Sequence, residues 1–441
     1  CSVFYRRTPT TKEWIDENSR VFRSEIDALK REVAEAREEI GQHKVSVSKY
    51  AQTVREDIEA AARSVLSPED DADSTTFADP RAAETLKQAD EELKTKRETD
   101  FSAQDYYTRG LAAYAAGRFE AALQAFDQGI EKSPSAVLHA QLLVAKAAAL
   151  TKTNQSEQSV VISDEVDRLY GGDPTPALRQ RVAAALINKG VALGQLDRSE
   201  QAIAAYDEVD RRYGKDPVHG LRERVSIALV NKGIRLGKIN QVEQAISTHE
   251  EVDRRYGQDP APALRERVSM ALFNQGISFT KLNQSEQAIA AYDEVDRRYG
   301  QDAELPIRER VARALVNKGV RLGRINRFEE AIAVYEEVDR RYGLDSAPAL
   351  REKVASALFN KVSALLKTNQ SEKAISVCDE IERRYGPDSA PALRERVLSA
   401  LLSKVIALND INQSKQAIAV CDEIDRRYGQ DSAPTLMEKV S

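Results

Sequence analysis

The dipeptide Tyr-Gly recurs at a strict interval of 43 residues, and this period constrains the fold more than any other feature of the chain. Seven copies of one unit, with no insertion or deletion, run from about residue 138 to 438 of the 441 residues. A fixed period of this length is typical of repeat proteins, in which each unit packs on its neighbours. The tyrosines are Tyr170, Tyr213, Tyr256, Tyr299, Tyr342, Tyr385 and Tyr428.

Two segments of each unit carry apolar residues at helical spacing, which predicts a pair of helices. In the fourth unit, Ser285 is the predicted N-cap of the second helix, and Asn283 suits the left-handed conformation that ends the first. Gly300 is expected to stop the second helix. The i,i+4 ion pairs predicted along that helix are Asp293 with Arg297 and Glu294 with Arg298. The first helix is expected to run for about 22 residues, or roughly 33 Å.

Residues 104–134 read QDYYTRGLAAYAAGRFEAALQAFDQGIEKSP, with small, aromatic and proline residues at a characteristic spacing. These residues are Gly110, Gly117, Ala122, Phe126 and Pro134. The segment resembles a tetratricopeptide repeat (TPR), which is about 34 residues long. The corresponding positions of the longer units are Gly190, Asp197, Ala202, Tyr206 and Gly214. The resemblance covers roughly residues 104–441 and implies an all-α solenoid, a right-handed superhelix of helix pairs with longer first helices.

The chain that precedes the repeats has other patterns. Residues 12–66 carry apolar residues at a 3-4 heptad spacing, which predicts a coiled coil; the alternative is a long helix packed back on the array. The predicted divisions are an N-terminal tether (1–11), the coiled coil (12–66), an acidic linker (67–80), a connecting helix (81–103), a first TPR (104–135), seven 43-residue repeats (136–438) and the start of a truncated or capping segment (439–441).

The composition excludes several classes of function. The net charge of −6 argues against nucleic-acid binding, which needs a basic face. No phosphate-binding loop, nucleophile elbow, H-E-x-x-H or paired C-x-x-C motif is present, and four His and three Cys are too scattered for most metal sites. We therefore expect a protein that is not an enzyme and that needs no cofactor or metal.

Unlike charges occupy two repeated positions that TPRs usually fill with Leu. The Lys position and the Asp position lie 21 residues apart in each repeat, which predicts structural ion pairs within repeats. The central pairs are Lys189 with Asp210, Lys232 with Asp253, and Lys318 with Asp339.

A repeated Asn in the first helices marks the predicted binding site. The resemblance implies that first helices line a concave groove, where an Asn amide can bond a peptide backbone. The alternative is that each Asn bonds the neighbouring helix. The repeated residues are Asn188, Asn231, Asn274, Asn317 and Asn360, flanked by the apolar Phe273 and Phe359. The cations predicted to favour an acidic segment as the ligand are Lys238, Lys281, Arg313, Arg324 and Lys367.

Cys1 is predicted to be lipid-modified, because Cys1 and Ser2 at the start resemble a mature bacterial lipoprotein. The implied location is membrane-tethered, on the periplasmic face of a bacterial envelope. Arg6 and Arg7 support an alternative, in which a removed transmembrane helix precedes a cytoplasmic protein.

The leading functional hypothesis is a protein-protein interaction scaffold that binds a partner peptide or protein in the concave groove. One alternative is a structural subunit of an envelope assembly or fibre, with homo-oligomer contacts through residues 15–61 or end-to-end contacts of the array. Another is the sensing half of a larger multidomain protein.

Overall fold

A computed structural model describes residues 52–63, 65–66 and 80–428, and every regular element in these ranges is helical. The predicted tether with Cys1, most of the predicted coiled coil and residues 439–441 lie outside the described residues. These predictions therefore stay predictions.

Residues 52–63 form a helix that precedes the array. The next helices are α1 (Pro80–Leu93), α2 (Ala103–Ala115) and α3 (Phe119–Glu131), with a short 3₁₀ turn at Glu98–Asp100. Seven helix pairs follow. Their first helices are α4 (Ala136–Lys152), α6 (Pro176–Gln195), α8 (His219–Lys238), α10 (Pro262–Lys281), α12 (Leu305–Arg324), α14 (Pro348–Lys367) and α16 (Pro391–Asp410). Their second helices are α5 (Ser156–Tyr170), α7 (Ser199–Tyr213), α9 (Val242–Tyr256), α11 (Ser285–Tyr299), α13 (Phe328–Tyr342), α15 (Ser371–Tyr385) and α17 (Ser414–Tyr428).

The turn between the two helices of each pair is set by one residue with positive φ. Asn283 has φ 57°, which confirms the left-handed conformation predicted for it, and six equivalent residues share it. The prediction that Ser285 is an N-cap is wrong. Because the turn is short, Gln284 takes the N-cap position and Ser285 is the first residue of the helix.

Gly300 follows the last residue of its helix, as expected, but its φ of −60° is right-handed. Backbone conformation therefore does not require a glycine here. A Cβ atom at this position would lie 2.7 Å from Asp296 Oδ1 and 3.0 Å from Arg341 Nη1. The glycine of the Tyr-Gly dipeptide thus leaves room for an ion pair between Asp296 and Arg341.

The helix pairs form two layers. Each first helix in the run from α4 to α16 packs against the first helix of the next repeat, whereas within residues 80–428 no second helix approaches another second helix at backbone distance. First helices are therefore closer together than second helices. In a curved stack the closer layer is the inner one, so the first helices line the concave side.

The core runs continuously between these layers from repeat to repeat. Tyr206 is buried on α7, and its ring fills the space beside Gly190 on α6, where a Cβ atom would lie 2.4 Å from the ring. The same contact recurs between Tyr292 and Gly276. The Gly and aromatic positions that resemble the TPR pattern are therefore the contact between the two helices of a pair.

The described residues 52–63, 65 and 66, which we call the helix at 52–66, pack on the start of the array. Ile58, Ala61 and Val65 are buried in one cluster with Leu86 of α1 and Tyr107 of α2. For these residues the structure agrees with the alternative stated for 12–66, a helix packed back on the array.

The predicted pairing of charges within repeats is wrong, although the residues themselves are ion-paired. Lys189 Nζ lies 2.6 Å from Asp164 Oδ1 of the preceding second helix, and Lys318 Nζ lies 2.5 Å from Asp293 Oδ1. Lys232 likewise pairs with Asp207 at 2.6 Å. The Lys side chains point back across the repeat boundary, because the inner layer brings each first helix against the preceding pair.

The predicted Asp partners point the other way along the array. Arg255 Nη1 lies 2.5 Å from Asp210 Oδ1, and Arg255 Nη2 lies 3.2 Å from Asp210 Oδ2. Each such Arg is 45 residues after its carboxylate, so these bridges join successive second helices across the wider outer gap. The bridges are Arg212–Asp167, Arg255–Asp210, Arg298–Asp253, Arg341–Asp296, Arg384–Asp339 and Arg427–Glu382.

The ion pairs predicted within α11 are half right. Glu294 accepts hydrogen bonds from both Arg298 and Arg297, and these bonds lower the pKa of the Glu294 carboxyl to about 2. The predicted Asp293–Arg297 pair is replaced, because Asp293 binds Lys318 of the next repeat.

Candidate functional site

Five positions of each first helix, spaced three or four residues apart, form one face that we call the inner stripe. In α6 the inner stripe consists of Arg181, Ala184, Asn188, Val191 and Gln195. The first three of these residues line a cavity beneath the helix at 52–66. The inner stripe is therefore the face that looks into the concave side of the array.

The exposure of the inner stripe increases along the array. At its fourth position, Ala148 of α4 and Val191 of α6 are 7% and 6% exposed, whereas Ile406 of α16 is 56% exposed. Ser363 of α14 is also exposed, and Ile277 of α10 is intermediate. The concave face thus has a closed half at α4–α8 and an open half at α12–α16.

The predicted peptide-bonding Asn residues divide between these halves. Asn188 is 3% exposed and donates from Nδ2 to the carbonyl oxygen of Val144 at 3.0 Å, which is the helix-to-helix bond of the alternative. Asn231 and Asn274 are also buried. Their assignment as ligand-binding residues is therefore corrected to a structural role. Asn317 and Asn360, in the open half, are partly exposed.

The predicted apolar residues divide in the same way. Phe273 is 3% exposed and packs against Tyr292, with ring centroids 5.9 Å apart, so it belongs to the core. Phe359 of α14 is only partly buried, and the Arg396 guanidinium lies 5.7 Å from its ring centroid. Phe359 therefore offers an apolar contact, flanked by a cation, on the floor of the open half.

Charged side chains of mixed sign surround this floor. Burial lowers the pKa of the Lys353 ammonium, and the neighbouring positive charge of Arg313 lowers it further. Burial also raises the pKa of the Glu309 carboxyl. The open half is thus a partly desolvated surface on which a further pairing charge would interact strongly.

The remaining predicted cations have two kinds of position. Arg313 lies on the inner stripe, with its guanidinium 4.9 Å from the ring centroid of Phe273. The others are exposed and hold the last position of the inner stripe, at the C-terminal ends of their helices, so they form one rim of the groove. They are Lys238, Lys281, Arg324 and Lys367. Lys281 Nζ donates to the carbonyl oxygen of Gly237 at 2.9 Å, which caps the preceding first helix.

The first position of the inner stripe carries a cation in six successive first helices, and sequence reasoning missed this column. Its signal is visible in the sequence as the second basic residue of the repeated Arg-Glu-Arg. The column consists of Arg181, Arg224, Arg267, Arg310, Lys353 and Arg396. It adds positive charge along the whole concave face of a chain that is acidic overall.

The described ranges contain no cluster of His, Cys, Asp and Glu side chains that could hold a metal ion. Within the same ranges, no helix has the length and apolar character needed to cross a bilayer. Cys378 is a buried free thiol whose pKa is raised by burial to about 12, which keeps it protonated.

Known tetratricopeptide repeats match residues 107–157, 183–216, 270–302 and 316–390 of the chain. No curated protein sequence matches it. Similar solved structures include the quorum sensor NprR from B. thuringiensis, with 10% identity, 88% of this chain and 99% of that chain covered, and a TM-score of 0.45. Another is a tetratricopeptide repeat protein from Parabacteroides merdae, with 11% identity, 68% and 98% covered, and a TM-score of 0.39. These sequence matches fall on the stacked helix pairs, so the array that they span is built of tetratricopeptide repeats.

Proposed function

We propose that this protein is a non-enzymatic interaction scaffold that binds an acidic partner peptide in the open half of its concave face. Its repeat family is one of protein-interaction scaffolds, and the finer proposal concerns where and what it binds. The observation that carries it is the increase in exposure along the inner stripe, from Val191, which is 6% exposed, through the intermediate Ile277 to the exposed Ser363. A position that is structural in the closed half is thus left uncovered in the open half.

The chemistry of the open half supports a peptide as the ligand. Phe359 supplies apolar area, and Asn360 supplies a donor and an acceptor, which match a peptide backbone; Asn317 is hydrogen-bonded to the Tyr292 side chain. Lys353 and Arg396 at the first position of the inner stripe favour a carboxylate on the ligand. A short acidic segment with one large apolar side chain satisfies all three features.

Site-specific photo-crosslinking tests the proposal in the cell. Ser363 on the concave side and Ser376 on the outer helix α15 are both exposed, so a photoreactive residue at either position is a matched pair. We expect a crosslinked partner from position 363 and none from position 376. The crosslink should weaken in the charge reversals Lys353→Glu and Arg396→Glu.

Equal crosslinking from both faces would contradict the assignment of the groove. So would a crosslink from position 363 that persists unchanged in both charge reversals. Circular dichroism of each variant provides the folding control, because the helical content should match that of the unaltered protein.

The membrane tether at Cys1 and the periplasmic location form a separate proposal, which rests on the sequence resemblance alone. Metabolic labelling with a radioactive fatty acid tests it. We expect label on the unaltered protein and none on Cys1→Ser; equal labelling of the two would refute lipidation at this residue.

A further inference from the structure

A cavity lies at the closed end of the concave face, between the helix at 52–66 and the first helices α2, α4, α6 and α8. The space that the centre of a water-sized group can occupy in it is about 20 Å³, and the cavity is partly open to solvent. Glu59, Ala62, Arg63 and Leu66 line one side. Across from them lie Tyr107, Gln141, Val144, Arg181, Ala184, Asn188 and Arg224. This cavity is separate from the open half at α12–α16.

Three guanidinium groups face this cavity without a carboxylate partner. Nε of Arg181 is buried and has no hydrogen-bond partner. Among the residues that the structure describes, no ion pair joins Arg63, Arg181 or Arg224 to an acidic side chain; Glu223, beside Arg224, instead lies 3.1 Å from His219 Nδ1. Burial lowers the pKa of Arg224 to about 10, and repulsion from Arg181 and Arg63 adds to the effect. The cluster therefore carries unbalanced positive charge.

A departure from the repeat sequence lowers the number of carboxylates near this cluster. The residue before Arg181 is Gln180, whereas the equivalent residue in each of the five following repeats is a glutamate. These glutamates are Glu223, Glu266, Glu309, Glu352 and Glu395. Farther along the column, Arg310 Nη1 is satisfied by Ser269 Oγ at 2.9 Å. The lost carboxylate is thus next to Arg181 in the sequence, although the Gln180 side chain lies against Gly220 of α8 and not in the lining of the cavity.

We propose that this cavity binds a phosphate dianion, either free phosphate or the phosphate group of a small phosphorylated molecule. The three guanidinium groups and the single carboxylate of Glu59 leave two positive charges, which a phosphate group neutralises at neutral pH. Guanidinium groups bond phosphate oxygens in pairs, which uses donors such as Arg181 Nε.

Neutral donors at the same cavity complete the site. The Gln141 and Tyr107 side chains are hydrogen-bonded to each other at the cavity, and burial raises the pKa of the Tyr107 hydroxyl, so that this group stays protonated and able to donate. The helix at 52–66 supplies Arg63, so a bound phosphate joins that helix to α6 and α8. Phosphate should therefore stabilise the packing of the helix on the array.

The test is isothermal titration of the full 441-residue protein with inorganic phosphate at fixed ionic strength, and then with glycerol 3-phosphate and with succinate. We expect saturable binding of phosphate, and no binding of the dicarboxylate. Glycerol 3-phosphate distinguishes the sources: tighter binding than phosphate assigns a phosphorylated molecule, and weaker binding assigns free phosphate. Arg181→Gln should weaken the affinity by about tenfold or more, because it removes a charge-assisted bidentate contact.

A second variant makes the test independent of whether Arg181→Gln folds correctly. Gln180→Glu restores the glutamate of the other repeats, removes no arginine, and should also weaken phosphate binding by about tenfold. Arg297→Gln, on the exposed surface of α11, removes the same charge elsewhere and should leave binding unchanged. The proposal is overturned if phosphate does not bind, if Gln180→Glu binds phosphate as the unaltered protein does, or if Arg297→Gln weakens binding as much as Arg181→Gln.

Discussion

The two halves of the concave face are built from the same repeat and yet present opposite surfaces. In the closed half, the helix at 52–66 covers α2 and α4, and the inner stripe of α6 carries the small Ala184 and the buried Asn188. In the open half, the corresponding positions of α14 hold Ser356 and Asn360, which are partly exposed. The comparison teaches that the shared positions determine the stack, whereas departures from the repeat and the covering helix determine where a ligand has access.

The largest predicted effect tests whether the helix at 52–66 truly closes its half. Ile58→Asp places a charge at a position that is 8% exposed, and we expect it to destabilise this packing by about 3 kcal/mol. Because the energetics of a repeat array are local, hydrogen exchange should accelerate in α2 and not in α16. The matched change Ile406→Asp, at 56% exposure, should cost less than about 0.5 kcal/mol. If the two changes destabilised the protein equally, the distinction between a closed and an open half would be contradicted.

The next effect concerns His249 of α9, which occupies the position of Tyr206 in the preceding repeat. Burial lowers its pKa from 6.5 to about 4, and a hydrogen bond with the Val230 backbone opposes this shift only in part. Between pH 6.5 and pH 4 the unfolded chain therefore binds a proton that the folded protein does not. Stability should fall as the pH falls through this window, by on the order of 3 kcal/mol.

Urea unfolding across this pH range measures the effect, and His249→Tyr is the control. The variant should lose the pH dependence that belongs to this position, since Tyr206 and Tyr292 fill it elsewhere. Hydrogen exchange should place the acid-sensitive opening at α8 and α9, between the two halves. A pH profile that is the same in both proteins would show that His249 does not cause it.

A smaller effect compares one residue type across the two halves. Asn188→Ala removes a buried hydrogen bond to Val144 and should cost about 1 to 2 kcal/mol of unfolding free energy. Asn360→Ala, at a partly exposed position, should cost less than about 0.5 kcal/mol and should weaken the crosslink from position 363. If chemical denaturation gave the larger loss of unfolding free energy for Asn360→Ala, the structural role assigned to Asn188 in the closed half would be contradicted.

The smallest effect distinguishes pairing across the repeat boundary from pairing within a repeat. A double-mutant cycle between Lys318 and Asp293 should give a coupling of about 0.5 kcal/mol, because the pair is partly exposed. The cycle between Lys318 and Asp339 should give none, since Asp339 binds Arg384. Thermal unfolding of the six proteins that the two cycles need supplies both values. A measurable coupling between Lys318 and Asp339 would instead support the pairing within a repeat that the sequence predicts.

The sequence predicted the helix pairs and the turn residues because both depend on local chemistry. Asn283 shows this: its left-handed conformation follows from two or three neighbouring residues. The partner of Lys189 could not be predicted in the same way. Helical spacing tells which face a charge lies on, but not whether the residue facing it belongs to its own repeat or to the preceding one. The burial of Asn188 could not be predicted for a related reason, because it depends on how closely α4 and α6 approach each other.

The bridges between successive second helices also bear on how such a chain can change its length. Each bridge joins a carboxylate to an arginine 45 residues later, so a duplicated unit of 43 residues carries one half of two bridges and completes both on insertion. When a unit is lost, the carboxylate of the unit before it and the arginine of the unit after it form a bridge with each other. In the first 43-residue unit, where no equivalent carboxylate precedes it, Leu169 takes the position of the arginine. Repeat number is therefore free to vary by unequal recombination, without a new interface having to evolve.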